Sequence, residues 1–132
     1  MPLYICHAPP GLIAESAKPE IAEDVTRIHC EVTGAPRTFV HVFFMEQEAA
    51  EGALLQGNIR HGRTEEQKQD MRTQMAAAIT LRAGLDDDAV KVATTDVPAS
   101  WVMEGGDILP EPGEEDAWME KHLAKTAVEN TQ

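Results

Sequence analysis

The stretch Gly34-Ala35-Pro36-Arg37-Thr38-Phe39-Val40-His41-Val42-Phe43-Phe44-Met45-Glu46 decides the fold, because a version of it returns fifty residues later between Gly84 and Val97. Gly34 matches Gly84, and Val40-His41-Val42 matches Val90-Lys91-Val92 at the same offset, 90 − 40 = 50. Each copy is a glycine suited to closing a helix, followed by a β-branched strand. Thr38 to Glu46 is the stronger strand signal. Val40, Val42 and Phe44 fall on one face, and Phe39, Phe43 and Met45 fall on the other beside His41. Both faces are mostly apolar, so both are expected to be buried.

Working outward, each copy is preceded by a helical pattern. Ser16 stands where an N-cap belongs and Pro19 falls in the first turn, where its missing N–H costs nothing. Ile21, Val25, Ile28 and Val32 then mark one apolar face. In the second copy Thr64 and Gln67 form a capping box, and Met71, Met75, Ala78 and Ile79 supply the face. Leu3 to Ala8 reads as a strand, stopped by Pro9-Pro10-Gly11. Glu46 to Gly57 is expected to be a loop. The implied fold is α+β: two fused β-α-β units forming a four-stranded mixed sheet with two helices on one face, plus an irregular C-terminal segment.

The expected organisation is a single domain over residues 1–132, with repeat one at about 2–46, repeat two at about 57–97 and the C-terminal segment at 98–132. Within that segment Glu111 to Asp116 is expected to be a solvated loop. Ala117 to Ala127 is expected to be a short helix anchored by Trp118 and Leu123, with frayed residues after it. The sheet face that carries no helix remains apolar, and self-association is the natural way to cover it.

The chain has 132 residues and a formal net charge of −12. No basic stripe suits nucleic acid or an anionic membrane. No apolar run has the roughly 20 residues of a membrane span. The first residues lack the basic and long apolar regions of a signal peptide. Cys6 and Cys30 read as reduced, packed thiols. His7, His41, His61 and His122 show no metal-ligand spacing, Met71 and Met75 read as core filling, and no nucleotide-binding glycine motif is present. A cytoplasmic protein without metal or cofactor is expected.

Against that acidic background four features could carry chemistry. Pro2 lies directly behind Met1. Removal of Met1 is expected when a small residue follows, and it frees a secondary amine of a class that titrates near pH 7.7–8.0. Many proteins begin with Met-Pro for no catalytic reason. Arg60-His61-Gly62-Arg63-Thr64 brackets the start of the second helix with two guanidinium forks, suited to a carboxylate or simply solvated. His29 sits at the edge of the first helix's apolar face, half-buried, as a substrate-polarising or a structural residue. Glu104 lies in Trp101-Val102-Met103-Glu104-Gly105-Gly106, either in a cleft lined by Trp101 and Met103 or on a flexible loop.

In combination, these residues resemble the tautomerase superfamily, and within it the group of cis-3-chloroacrylic acid dehalogenase and its homologues. The similarity rests on Met1-Pro2-Leu3-Tyr4, on Ser16-Ala17-Lys18 leading to Ile28-His29, and on Arg60 to Lys68, which also resembles 4-oxalocrotonate tautomerase. Met103-Glu104, Leu109, Pro112-Gly113-Glu114 and Trp118 extend it. The resemblance implies that Pro2 is the catalytic base or acid, that Arg60 and Arg63 bind a substrate carboxylate, and that His29 polarises the substrate. It implies that Glu104 activates water in dehalogenases, and that the assembly is a homotrimer. Ala93 falls where the dehalogenases carry a Tyr, Gly105 replaces a Tyr, Asp107 replaces an Arg, and the loop from Glu46 to Gln56 is short. These departures favour keto–enol tautomerisation of a 2-oxo or 2-hydroxy-enoic acid. Hydration or dehalogenation of 3-substituted acrylates is the alternative, and a non-catalytic trimeric binding protein is a third.

Overall fold

The computed structural model describes residues 1–130, with side chains described through Lys125. In chain order the elements are β1 (Leu3–Ala8), α1 (Ala17–Thr33), β2 (His41–Glu46), β3 (Ala53–Arg60), α2 (Glu65–Ala83), β4 (Val90–Val97), the two-residue strands β5 (Met103–Glu104) and β6 (Asp107–Ile108), and α3 (Glu115–Asn130). They form two compact parts. The first comprises Met1–Ile59 and Arg63–Thr95; the second comprises Arg60–Gly62 and the chain from Asp96 onward.

The main sheet has the order β2-β1-β3-β4. β1 pairs with β2 in parallel, from Leu3 opposite His41 to Ala8 opposite Glu46, and with β3 antiparallel, Tyr4 opposite Gly57. The sheet is therefore mixed. Tyr4, Cys6 and Ala8 of β1 and Ala53, Leu55 and Ile59 of β3 share one buried cluster with Ile21, Val25 and Ile28 of α1 and Met71, Met75 and Ile79 of α2. Both helices thus cover one sheet face, as the apolar stripes require. Asp24, buried on α1, accepts from Arg82 Nε of α2 at 2.9 Å and ties the two helices together.

The fifty-residue offset persists in the helices: Ile21 and Met71 are buried at equivalent positions, as are Val25 and Met75. Gly34 and Gly84 both close their helices in the left-handed region, at φ 78° and 66°. The Thr64–Gln67 capping box is complete.

Several expectations need correction. Ser16 makes no side-chain cap bond, because its backbone is already right-handed helical at φ −67°, ψ −22°. Arg37–Phe39 coils into a 3-10 turn, so β2 starts at His41 and not at Thr38. β3 occupies much of the stretch expected to be a loop. Its buried positions Ala53, Leu55, Gly57 and Ile59 alternate strictly, but Gly57 and the polar Gln56 and Asn58 weaken the apolar signal. β2 is not buried on both faces. It is an edge strand, and Phe43 and Met45, each 54% exposed, lie on the face opposite the one that α1 and α2 cover.

In the second part, α3 is longer than expected at both ends. Glu115 and Asp116, assigned to the loop, form its first turn, where carboxylates suit the helix dipole. Trp118 does anchor it, donating Nε1–H to the Ile108 carbonyl at 2.7 Å. Leu123 is exposed and anchors nothing. Of the residues expected to fray after Ala127, 128–130 continue α3, and 131 and 132 lie outside the described residues.

Candidate active site

The first compact part holds Pro2, His29 and Arg63. Pro2 is buried at the foot of β1, and its carbonyl accepts the His41 N–H at 3.0 Å, which extends the β1–β2 bonding to the residue before the strand. With Met1 attached, the Pro2 nitrogen is a peptide nitrogen and carries no basic lone pair. Tyr4 lies two residues on and therefore faces the same way as Pro2, toward the helices.

His29, on α1, is only 2% exposed, so it is fully buried and not at a half-open helix edge as expected. Its Nδ1 lies 2.8 Å from the Tyr4 hydroxyl, and the two rings meet edge to face with centroids 5.6 Å apart. Burial is the largest influence on the imidazole; it lowers the pKa to about 4, helped by the charges of Arg63 and the chain's N-terminal amine. His29 is therefore neutral at pH 7. Burial likewise raises the Tyr4 pKa, against the opposing pull of Arg63. The hydroxyl keeps its proton and has two acceptors to choose from, His29 Nδ1 and the Met71 sulfur at 3.9 Å. A thioether is the weaker acceptor, so the network assigns the proton to the Nδ1 bond and leaves His29 with hydrogen on Nε2.

Gly57 makes room for this pair. A Cβ there would fall 2.5 Å from Tyr4 Cε1, across the strand pairing that sets the two opposite each other. Arg63, half-buried just before α2, donates Nη1–H toward the Thr33 carbonyl at 3.5 Å, and Gln67 Nε2 donates to the Val32 carbonyl at 3.2 Å. The start of α2 thus satisfies carbonyls at the end of α1, four residues beyond His29. Thr33 closes the turn by donating its hydroxyl to the His29 carbonyl at 2.7 Å.

The second compact part holds Arg60 and Glu104. The Arg60 side chain is 11% exposed; Nη1 donates to the Pro110 carbonyl at 2.7 Å and Nη2 to Glu115 Oε1 at 2.8 Å. Glu104 ends β5 and stands opposite Asp107 across a turn made by Gly105 and Gly106, both at positive φ. One of its carboxylate oxygens is excluded from solvent. Trp101 and Met103 do not enclose it, since both are largely exposed. The hairpin is held by α3. Asp107 lies 2.9 Å from His122 Nδ1 and accepts from Lys125 Nζ at 3.2 Å, while Trp118 stacks on His122 at 4.7 Å. A two-strand hairpin this short has little stability of its own, so these contacts fix where Glu104 sits. A side chain at Gly105 would collide with the His122 ring.

The sequence matches the family model Tautomerase_3, described as "Putative oxalocrotonate tautomerase enzyme", over residues 1–123. The chain belongs to this tautomerase family. Among solved structures, N1, a member of the cis-3-chloroacrylic acid dehalogenase family, is similar at 28% identity with a TM-score of 0.81, covering 88% of this chain and 89% of that one. Native Ps01740 is similar at 35% identity and a TM-score of 0.73, covering 77% of this chain and 99% of that one. A fused 4-OT symmetric trimer shares the fold at 24% identity and a TM-score of 0.67, covering 74% and 87%. No curated protein matches the sequence significantly. The two fused β-α-β units expected from the repeats, and the tautomerase family expected from the resemblance, are thus shown.

In this tautomerase-family chain, sequence reasoning named Pro2, His29, Arg63, Arg60 and Glu104 but missed Tyr4, Gly57 and Glu115. Tyr4 was accessible in principle. It shares a strand parity with Pro2, and it is the one tyrosine of the chain.

Proposed function

We propose that the protein is a cofactor-independent tautomerase that interconverts the keto and enol forms of a 2-oxo or 2-hydroxy-enoic acid. Removal of Met1 exposes the Pro2 amine, which moves the proton between oxygen and carbon as its neutral form. Arg63, with Arg60 three residues before it, holds the substrate carboxylate. His29 donates from Nε2 to the developing oxyanion. The observation that carries this reading is the neutral, buried His29 locked to Tyr4, with the charge of Arg63 acting on it.

The exposed apolar face with Phe43, Met45 and Leu54 supports self-association. The trimer named for a fold relative supports a homotrimer. The thiols fit a reducing cytoplasm: burial pushes Cys6 up to about 11 and so makes it inert. The alternative, hydration or dehalogenation of a 3-substituted acrylate, draws on the shielded Glu104 oxygen and on the dehalogenase family named for N1. Ala93 at the position of a water-activating Tyr weighs against it. A non-catalytic binding protein is the third reading, and retention of Met1 would favour it.

The test is a turnover panel of phenylenolpyruvate, 2-hydroxymuconate and cis-3-chloroacrylate, with intact mass measured on the same sample. Tautomerase activity in Met1-free protein, with slow halide release, supports the first reading. Fast halide release without tautomerisation supports the second, and no turnover by Met1-free protein supports the third.

A further inference from the structure

Every residue of Arg60-His61-Gly62 meets the segment running from Pro110 to Glu115. Arg60 donates to Pro110 and Glu115, and His61 Nε2 lies 3.2 Å from Glu111 Oε2. Gly62, at φ +112°, leaves room for Pro112, whose Cγ would lie 2.7 Å from a Cβ there. The contact at Arg60 is of a particular kind. Glu115 presents both carboxylate oxygens to donors, Oε1 to Arg60 Nη2 at 2.8 Å and Oε2 to the Gly113 N–H at 2.8 Å. A guanidinium plus a main-chain N–H is the arrangement a substrate carboxylate would seek. Arg60 is nearly buried, whereas the Glu115 side chain is 43% exposed and can be exchanged for another acid.

We propose that Glu115 is an internal competitor for the substrate's carboxylate: it occupies the Arg60 guanidinium when no substrate is bound and must be displaced by the acid that the site accepts. The proposal rests on Arg60 being a carboxylate ligand. Its consequence is that an incoming carboxylate exchanges one charge-assisted bond for another. Arg60 therefore discriminates among acids more than it adds affinity, and a weakly coordinating acid fails to displace Glu115.

The experiment is steady-state kinetics on phenylenolpyruvate, with benzoate as a non-reacting carboxylate inhibitor, for Met1-free wild type, Glu115→Gln and Arg60→Gln. Glu115→Gln keeps the side chain's shape and removes its charge. Its KM and its benzoate inhibition constant are expected to fall roughly two- to fivefold with kcat nearly unchanged, the scale of a partly exposed ion pair. Arg60→Gln is expected to raise both constants. If Arg60→Gln raises them and Glu115→Gln leaves them unchanged or raised, the competitor role is overturned while the Arg60 assignment stands. If Arg60→Gln leaves both constants unchanged, the Arg60 assignment itself fails, and the competitor role with it. Glu115→Ala serves as the second variant should Gln disturb the first turn of α3, with the same expected fall and the same contrary result.

Discussion

The Tyr4 hydroxyl sits 2.8 Å from His29 Nδ1, both groups buried, and the bond joins the first strand to the first helix at the catalytic end proposed for the chain. It fixes the imidazole's orientation and its tautomer together. Tyr4→Phe removes the hydroxyl and leaves a buried ring nitrogen unsatisfied. The expected loss is about 1–3 kcal/mol of stability. Turnover should fall chiefly in kcat, because His29 loses its orientation while the arginines are untouched. Urea unfolding and kinetics on phenylenolpyruvate check both.

Gly57→Ala tests the same pair from the neighbouring strand. The new methyl lands on the Tyr4 ring, which cannot retreat inside a packed core. Overpacking of this kind costs about 1–3 kcal/mol, and activity should fall alongside Tyr4→Phe. In the double variant the two activity losses should be less than additive, since both act through the position of one hydroxyl.

Stability should depend on pH through His29. Its folded pKa lies at about 4, below the ordinary 6.5. Between those values the unfolded chain binds more protons than the folded one, so stability falls as pH drops. The contribution is fully present above pH 6.5 and is lost progressively down to about pH 4. Its size is on the order of 3 kcal/mol. Urea midpoints measured across that window should decline in wild type and decline less in His29→Gln.

Assembly should depend on the sheet face opposite α1 and α2. Phe43 and Met45 are each 54% exposed on edge strand β2. Met45→Glu places a charge on that apolar face without touching the helix-covered core. The variant is expected to sediment or elute as a smaller species than wild type while keeping its far-UV circular dichroism. An unchanged oligomeric mass would place the subunit contact elsewhere.

Much of the fold was legible because helices announce themselves through caps and stripes. Gly34, Gly84 and the Thr64–Gln67 box each serve the function their residue types favour. β3 was not legible, because Gly57 weakens the apolar pattern where the Tyr4 ring needs space. At the site, Pro2, His29 and the arginines were legible as residue types. Their partners were not: Tyr4 meets His29 across 25 positions and Glu115 meets Arg60 across 55, contacts that no local pattern encodes.

The central claim is that a free Pro2 amine is the base. The measurement that tests it most directly compares kcat/KM for phenylenolpyruvate in Met1-free wild type, in Met1-free Pro2→Ala and in protein that retains Met1, with intact mass verifying each sample. A positioned base contributes roughly 10²–10⁴-fold. A loss of that order in both altered forms is predicted, and wild-type turnover in protein that retains Met1 would contradict the account.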